Sequence, residues 1–74
     1  MKVDLKVPKE YQKYFGKLEA EGGLIDNCKY MLYFAEGYAY MGEYPILPVK
    51  SKREAIEFLK LGEVEKGYNE YYTN

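Results

Sequence analysis

The chain lacks histidine and tryptophan altogether, and it contains a single cysteine among its 74 residues. Without histidine, neither a Ser-His nor a Cys-His catalytic pair can form, and one thiol without an imidazole excludes the usual structural zinc sites. Cys28 falls inside a predicted strand, where a small buried side chain is its expected role. We therefore predict a protein that is not an enzyme and that holds no metal and no cofactor.

The chain also lacks a strong charge of either sign and any long hydrophobic run. Eleven Lys and Arg residues against twelve Asp and Glu residues give a net charge of −1, which favours no polyanion-binding field. The first eight residues have no apolar run typical of a signal peptide, and no stretch approaches the roughly 20 residues of a membrane span. With one free cysteine, these absences predict a cytoplasmic protein that has no membrane partner.

The remaining composition is that of a folded globular chain. Apolar residues make up 47% of the sequence and charged residues 31%, and no linker or repeat divides it, so residues 1–74 are predicted to form a single domain. Below roughly 70–80 residues, a single core supplies only a few kcal/mol of stability. Domains of this size often gain stability from a partner or from self-association.

Four segments predict β-structure. Apolar and charged residues alternate over residues 2–7, as in a strand with one buried face. Residues 28–35 and 38–44 are rich in strand formers, and Glu36-Gly37 between them predicts a hairpin with a tight two-residue turn. Residues 44–49 contain two prolines, which predict a kinked edge strand.

Two further segments predict helices, and a third helix is predicted in the tail. Apolar residues at helical spacing predict one helix from Pro8 to the Gly22-Gly23 stop. A capping box over residues 51–54 starts a second helix, which Gly62 ends. Tyrosines at helical spacing predict a short last helix within residues 63–74. This order (strand, helix, β-hairpin, edge strand, helix) predicts an α+β fold, with a small, mostly antiparallel sheet and its helices on one face.

Tyrosine is the abundant residue: the chain has ten, and five lie between Tyr30 and Tyr44. Side chains alternate across a sheet, so the predicted hairpin divides this segment between two faces. The predicted core face carries Cys28, Tyr30, Leu32, Phe34, Ala39 and Met41. The second predicted face carries Lys29, Met31, Tyr33, Ala35, Tyr38, Tyr40 and Tyr44.

The second face predicts a protein-binding module, because tyrosine and methionine are enriched at the centres of protein interfaces. The predicted anchors are Met31, Tyr33, Tyr38, Tyr40 and Tyr44. The partner is another protein or a second copy in a homodimer. In short length, balanced charge and lack of histidine, the chain resembles small proteins of phages and mobile elements, such as anti-CRISPR proteins. That resemblance implies an inhibitor of a larger protein, acting in the host cytoplasm.

Two structural alternatives leave the tyrosines without a binding role. The tail could fold over the second face, or one helix could lie on each side of the sheet. Cross-strand aromatic pairs would then stabilise the sheet alone. A small-molecule site is a third function class, and in so short a chain it would have to lie between subunits.

Nucleic-acid binding is the alternative function, since aromatic side chains on a sheet can stack with bases. Its candidate residues are Lys29, Lys50, Lys52 and Arg53. The segment from Lys29 to Leu61 resembles the DNA-binding domains of phage integrase arms and AP2 factors, in which three strands precede a helix. Those domains read DNA with basic residues on their strands, whereas the predicted hairpin has only Lys29.

Overall fold

The structure is a computed structural model that describes residues 2–25 and 27–66, with side chains for all of these except residues 21–25. In chain order its elements are β1 (Lys2–Val3), a 3₁₀ helix (Lys9–Tyr14), β2 (Phe15–Ile25), β3 (Cys28–Phe34), β4 (Tyr38–Tyr40), β5 (Ile46–Val49), α1 (Lys52–Lys60) and β6 (Val64–Lys66). Four strands form one antiparallel sheet in the order β1-β2-β3-β5, and β4 pairs with β6 in a second sheet. The predicted α+β class is confirmed.

One buried cluster joins both sheets to α1. Its members are Leu18, Leu32, Phe34, Val49, Ala55, Leu59 and Val64. Leu32 and Phe34 are fully buried, as expected for residues at the centre of the predicted core face. Tyr11 and Tyr14 of the 3₁₀ helix pack against the same cluster as α1. The helical segments of the described chain therefore lie on one face of the larger sheet.

Both edges of the four-stranded sheet lie in segments predicted as strands, but β1 covers only Lys2–Val3, so the strand predicted over residues 2–7 is wrong beyond Val3. Val3, Leu5 and Val7 are half-buried against the cluster, while the charged residues between them are exposed. At the other edge, β5 pairs with β3 and places Pro48 opposite Met31. Proline has no amide hydrogen to donate, and an edge strand tolerates that loss because one of its sides needs no partner. The predicted edge strand is confirmed.

The predicted helix beginning after Pro8 is wrong beyond its first turns. Residues 9–14 form a 3₁₀ helix, and the chain then continues as strand β2. Gly16 is a poor helix former, and Leu18 can pair with Leu32 of β3 only if this segment is extended. Gly22-Gly23 does not end a helix either: it lies in β2, within a register shift between Ala20 and Ile25.

The predicted hairpin is also wrong, although its turn forms. The amide of Tyr38 donates to the carbonyl of Ala35 at 3.0 Å. Gly37 has a positive φ of 88°, but Glu36 does not, so the turn lacks the type I′ geometry that keeps two strands paired. The strands diverge, because β2 and β5 occupy both edges of β3. Tyr33 therefore lies opposite Ile46 of β5, and it does not pair with Tyr40.

The capping box of α1 is confirmed for the Ser51 cap, whereas Glu54 bonds the amide of the residue before Ser51 and not that of Ser51 itself. The Ser51 hydroxyl accepts a hydrogen bond from the Glu54 amide at 3.1 Å, and the Glu54 carboxylate accepts one from the Lys50 amide. The helix ends at Lys60, and Gly62 follows with a φ of 76°. The tail prediction is wrong where it is described, because residues 64–66 form strand β6. Its three tyrosines lie outside the described residues.

Candidate binding surfaces

The five predicted anchors do not share one face. Met31 and Tyr33 point away from the core, since they alternate with the buried Leu32. Tyr38 and Tyr40 pack against the buried cluster instead. This separation follows from the pairing of β4 with β6. The tyrosine segment thus contributes to two surfaces, and the binding role of its residues stays a prediction.

The first surface is the outer face of the four-stranded sheet, opposite Leu32. Alternation and register place on it Lys2, Lys17, Glu19, Lys29, Met31, Tyr33, Ile46 and Pro48. The Lys17 ammonium lies 4.6 Å from the centre of the Tyr33 ring and 3.8 Å from a Glu19 carboxylate oxygen. Met31 and Ile46 are half-buried beside that ring and stand outside the side chains that pack on the core. Among the described residues, lysines outnumber carboxylates on this face.

The structure brings the predicted basic residues close to one another at one end of the outer face. Tyr30 pairs with Val49, so Lys29, which precedes Tyr30, and Lys50, which follows Val49, lie at the same end of this antiparallel ladder. Both are exposed, as are Lys52 and Arg53 at the start of α1. Arg53 forms an exposed ion pair with Glu57 at 3.5 Å.

The second surface is an apolar patch formed by Tyr40, Met41, Tyr44, Phe58 and Leu61. Tyr40 is its centre: its ring lies 5.5 Å from that of Phe58, edge to face, and 6.5 Å from that of Tyr44. Leu61 and Phe58 line a shallow groove of about 140 Å³. Met41, Tyr44 and Leu61 are exposed by 56%, 50% and 54%, respectively. Two of the five predicted anchors, Tyr40 and Tyr44, belong to this patch.

A tight turn holds Met41 in the patch. The Glu43 amide donates to the Tyr40 carbonyl at 3.1 Å, and both central residues, Met41 and Gly42, have positive φ (55° and 72°). This is the geometry of a type I′ turn, which favours Asn, Asp or Gly at its first central position. The Met41 amide donates to the Glu63 carbonyl at 2.7 Å and fixes this conformation.

Carboxylates border the patch. Glu54 and Glu57 line the groove with Phe58 and Leu61. The Tyr40 hydroxyl donates a hydrogen bond to the Glu63 carboxylate. That bond, together with burial and the negative charge, raises the pKa of Tyr40 above its ordinary value of 10.0.

Three members of the patch could not be predicted from the sequence. Met41 was expected on the core face, and the left-handed turn instead directs it outward. Phe58 lies in the predicted second helix, and its spacing does not indicate a contact with Tyr40. Leu61 follows the last residue of that helix, and the sequence pattern does not indicate its exposure either.

Within residues 2–25 and 27–66, no group of three His, Cys, Asp or Glu side chains could hold a metal ion. No helix in that part of the chain is long and apolar enough to cross a membrane. Comparison with known proteins finds no matching family model, no similar curated protein and no similar solved structure. The geometry of the two surfaces is therefore what bears on function.

Proposed function

We propose that this chain is a small protein-binding module that docks its partner through the apolar patch. The observation that supports this proposal is the exposure of Met41, Tyr44 and Leu61, each at least half exposed, on segments joined by the ring contacts of Tyr40 with Tyr44 and Phe58. Contiguous exposed apolar surface rimmed by polar groups is typical of interaction sites. Tyrosine and methionine are enriched at the centres of protein interfaces. The abundance of tyrosine in this sequence favours the same role.

The backbone conformation of Met41 supports a binding role for the patch. A left-handed backbone costs a residue with a Cβ atom about 1–2 kcal/mol, and asparagine or glycine would relieve that cost here. More than half of the Met41 surface is exposed, and Met41 is not part of the buried cluster of the described residues. Strain retained without a structural benefit is a feature of binding sites.

Contacts within the chain hold the centre of the patch in place. Tyr44 exchanges two backbone hydrogen bonds with Tyr40, at 2.8 and 3.0 Å, and Phe58 holds the Tyr40 ring from the side. Side chains fixed in this way lose little conformational freedom on binding, so more of the contact energy appears as affinity. Docking of such a surface on a larger protein would occlude the covered region, which is how a short inhibitor works.

Replacing Met41 separates stability from binding. We expect Met41→Asn to raise the free energy of unfolding by about 1 kcal/mol, because asparagine tolerates positive φ, and to weaken partner binding. Met41→Leu is the matched control, which keeps both the strain and the apolar surface. Urea denaturation and a binding assay on both variants make the comparison. Equal stability and equal binding in the two variants would contradict the proposal.

Site-specific photo-crosslinking identifies the docking surface directly. A photo-reactive amino acid is placed at Tyr44 in one variant and at Lys6, exposed on the β1 side, in a control, in cells that naturally express the protein. We expect a discrete crosslinked protein from position 44 that is lost with Leu61→Ser and absent from position 6. An adduct of twice the chain's own mass would identify self-association. Absence of any adduct from position 44 would overturn the proposal.

The outer face of the sheet supports nucleic-acid binding as a second candidate function. The observation in its favour is the placement of Lys29 and Lys50 at one end of a face that also presents Tyr33. Phosphate contacts predict an affinity for single-stranded oligonucleotides that falls steeply with salt. The double variant Lys29→Gln/Lys50→Gln should reduce the slope of affinity against salt, whereas Leu61→Ser should leave it unchanged. No binding at low salt removes this candidate.

A further inference from the structure

The charges around the apolar patch indicate what kind of partner it accepts. Glu54 and Glu57 line the groove, and Glu63 accepts the hydrogen bond of the Tyr40 hydroxyl. Among the described ion pairs, one involves these carboxylates: Arg53 lies 3.5 Å from Glu57, and both side chains are exposed. Exposed pairs of this kind are weak and easily exchanged. The border of the patch therefore stays acidic and can exchange Arg53 for a partner's cation.

A second copy docked through the same patch would present an acidic border, whereas the patch favours a partner that brings cations. In a two-fold dimer the same patch is used by both copies, and a residue meets its own duplicate only at the axis, so the acidic borders formed by Glu54, Glu57 and Glu63 would be brought into one interface. Like charges brought together in an interface oppose association. The acidic border thus favours a different protein over a homodimer built on this patch.

The groove follows the direction of α1. Glu54 and Phe58 lie four residues apart in α1, and Leu61 follows directly after its last residue, so the three are spread over seven residue steps or about 10 Å. A partner helix lying along it would bury its apolar side chains at about two turns, as in helix-in-groove recognition. Its flanking positions would then face the carboxylates.

We infer that the apolar patch binds an amphipathic segment of another protein, in which lysine or arginine side chains flank an apolar stripe. This inference rests on the proposed function and adds the chemistry of the partner. The apolar stripe covers Tyr44, Tyr40 and Leu61, and the cations pair with the acidic border. Charge complementarity of this kind sets partner choice and the rate of association.

The test uses the full chain and two synthetic peptides of about four helical turns. Both peptides carry the same leucine stripe, and one has arginine where the other has glutamate at the flanking positions. Titration of the isotope-labelled protein is followed by amide chemical shifts. We expect the arginine peptide to shift the signals of residues 43–44, 54–61 and 63, with an affinity at least about ten-fold above that of the glutamate peptide.

Three variants assign the contacts. Leu61→Ser should lower the affinity for the arginine peptide about ten-fold, and Glu57→Gln/Glu63→Gln should lower both the affinity and its dependence on salt. Lys29→Gln on the outer face is the control and should bind like the wild type. Equal affinity for both peptides, shifts confined to the outer face, or no binding of the arginine peptide would each overturn the inference. A crosslink from position 44 together with such a result would leave the docking function in place and refute only the partner's chemistry.

Discussion

At the scale of single residues, Tyr40 connects the core of the protein to its candidate binding surface. Its ring packs between Phe58 and Tyr44, and its neighbour across the ladder, Val64, is buried in the core. Its hydroxyl, in contrast, reaches the Glu63 carboxylate. One side chain therefore combines an apolar body that supports the fold with a polar tip at the border of the patch.

The hydrogen bond to Glu63 predicts a change at alkaline pH. It raises the pKa of Tyr40 above 10.0, so the folded protein holds this proton more tightly than the unfolded chain. The stabilisation is complete below about pH 10 and is lost as the pH rises through the raised pKa. In Glu63→Gln the Tyr40 pKa should fall toward its ordinary value. The ring ¹³C shifts of Tyr40, assigned by comparison with Tyr40→Phe, are followed against pH in the wild type and in Glu63→Gln. Identical titration midpoints in the two proteins would refute the role of Glu63.

At the scale of elements, the start of α1 depends on one side chain. The Ser51 hydroxyl is the acceptor for the Glu54 amide, and removal of a cap of this type costs about 1 kcal/mol. Ser51→Ala should therefore lower the midpoint of urea unfolding, whereas Ser51→Asp should restore it, because aspartate also caps helices. The exposed Lys52→Ala is the matched control and should have little effect. A Ser51→Ala protein as stable as this control would contradict the role of the cap.

The elements that the sequence predicted well are those set by neighbouring residues. The Ser51 cap, the Gly62 stop and the proline-containing edge strand each depend on a few adjacent side chains, and all three occur. The helix over residues 15–21 and the hairpin failed for a different reason. Their outcome depends on which segments reach the two edges of β3, and that competition involves residues far apart in sequence.

The same limit applies to the candidate site. Tyr40 and Tyr44 could be chosen from composition, because tyrosine is typical of interfaces. Phe58 and Leu61 could not, since their place beside Tyr40 depends on how α1 packs on the second sheet. The separation of Met31 and Tyr33 from the other predicted anchors has the same origin. β4 pairs with β6, whereas β3 pairs with β2 and β5.

At the scale of the whole molecule, stability depends on a single small core. Leu32 is fully buried at its centre, and Leu→Ala changes in such positions cost about 2–5 kcal/mol. A domain of this size has a total stability of only about 3–5 kcal/mol. Leu32→Ala should therefore leave much of the protein unfolded at room temperature, as measured by circular dichroism and amide chemical-shift dispersion. Ile46→Ala, on the half-buried outer face, should retain a cooperative transition. Full folding of Leu32→Ala would contradict this view of the core.

The pairing of β4 with β6 has a consequence for the protein during its synthesis. Tyr38–Tyr40 finds its partner strand only at residues 64–66, more than twenty positions later in the chain. Residues 64–66 must therefore leave the ribosome before Tyr40 can be anchored in the second sheet and Glu63 can reach it. Pairings between segments so distant in sequence form slowly, so we expect this small sheet to close later than the contacts made by neighbouring residues.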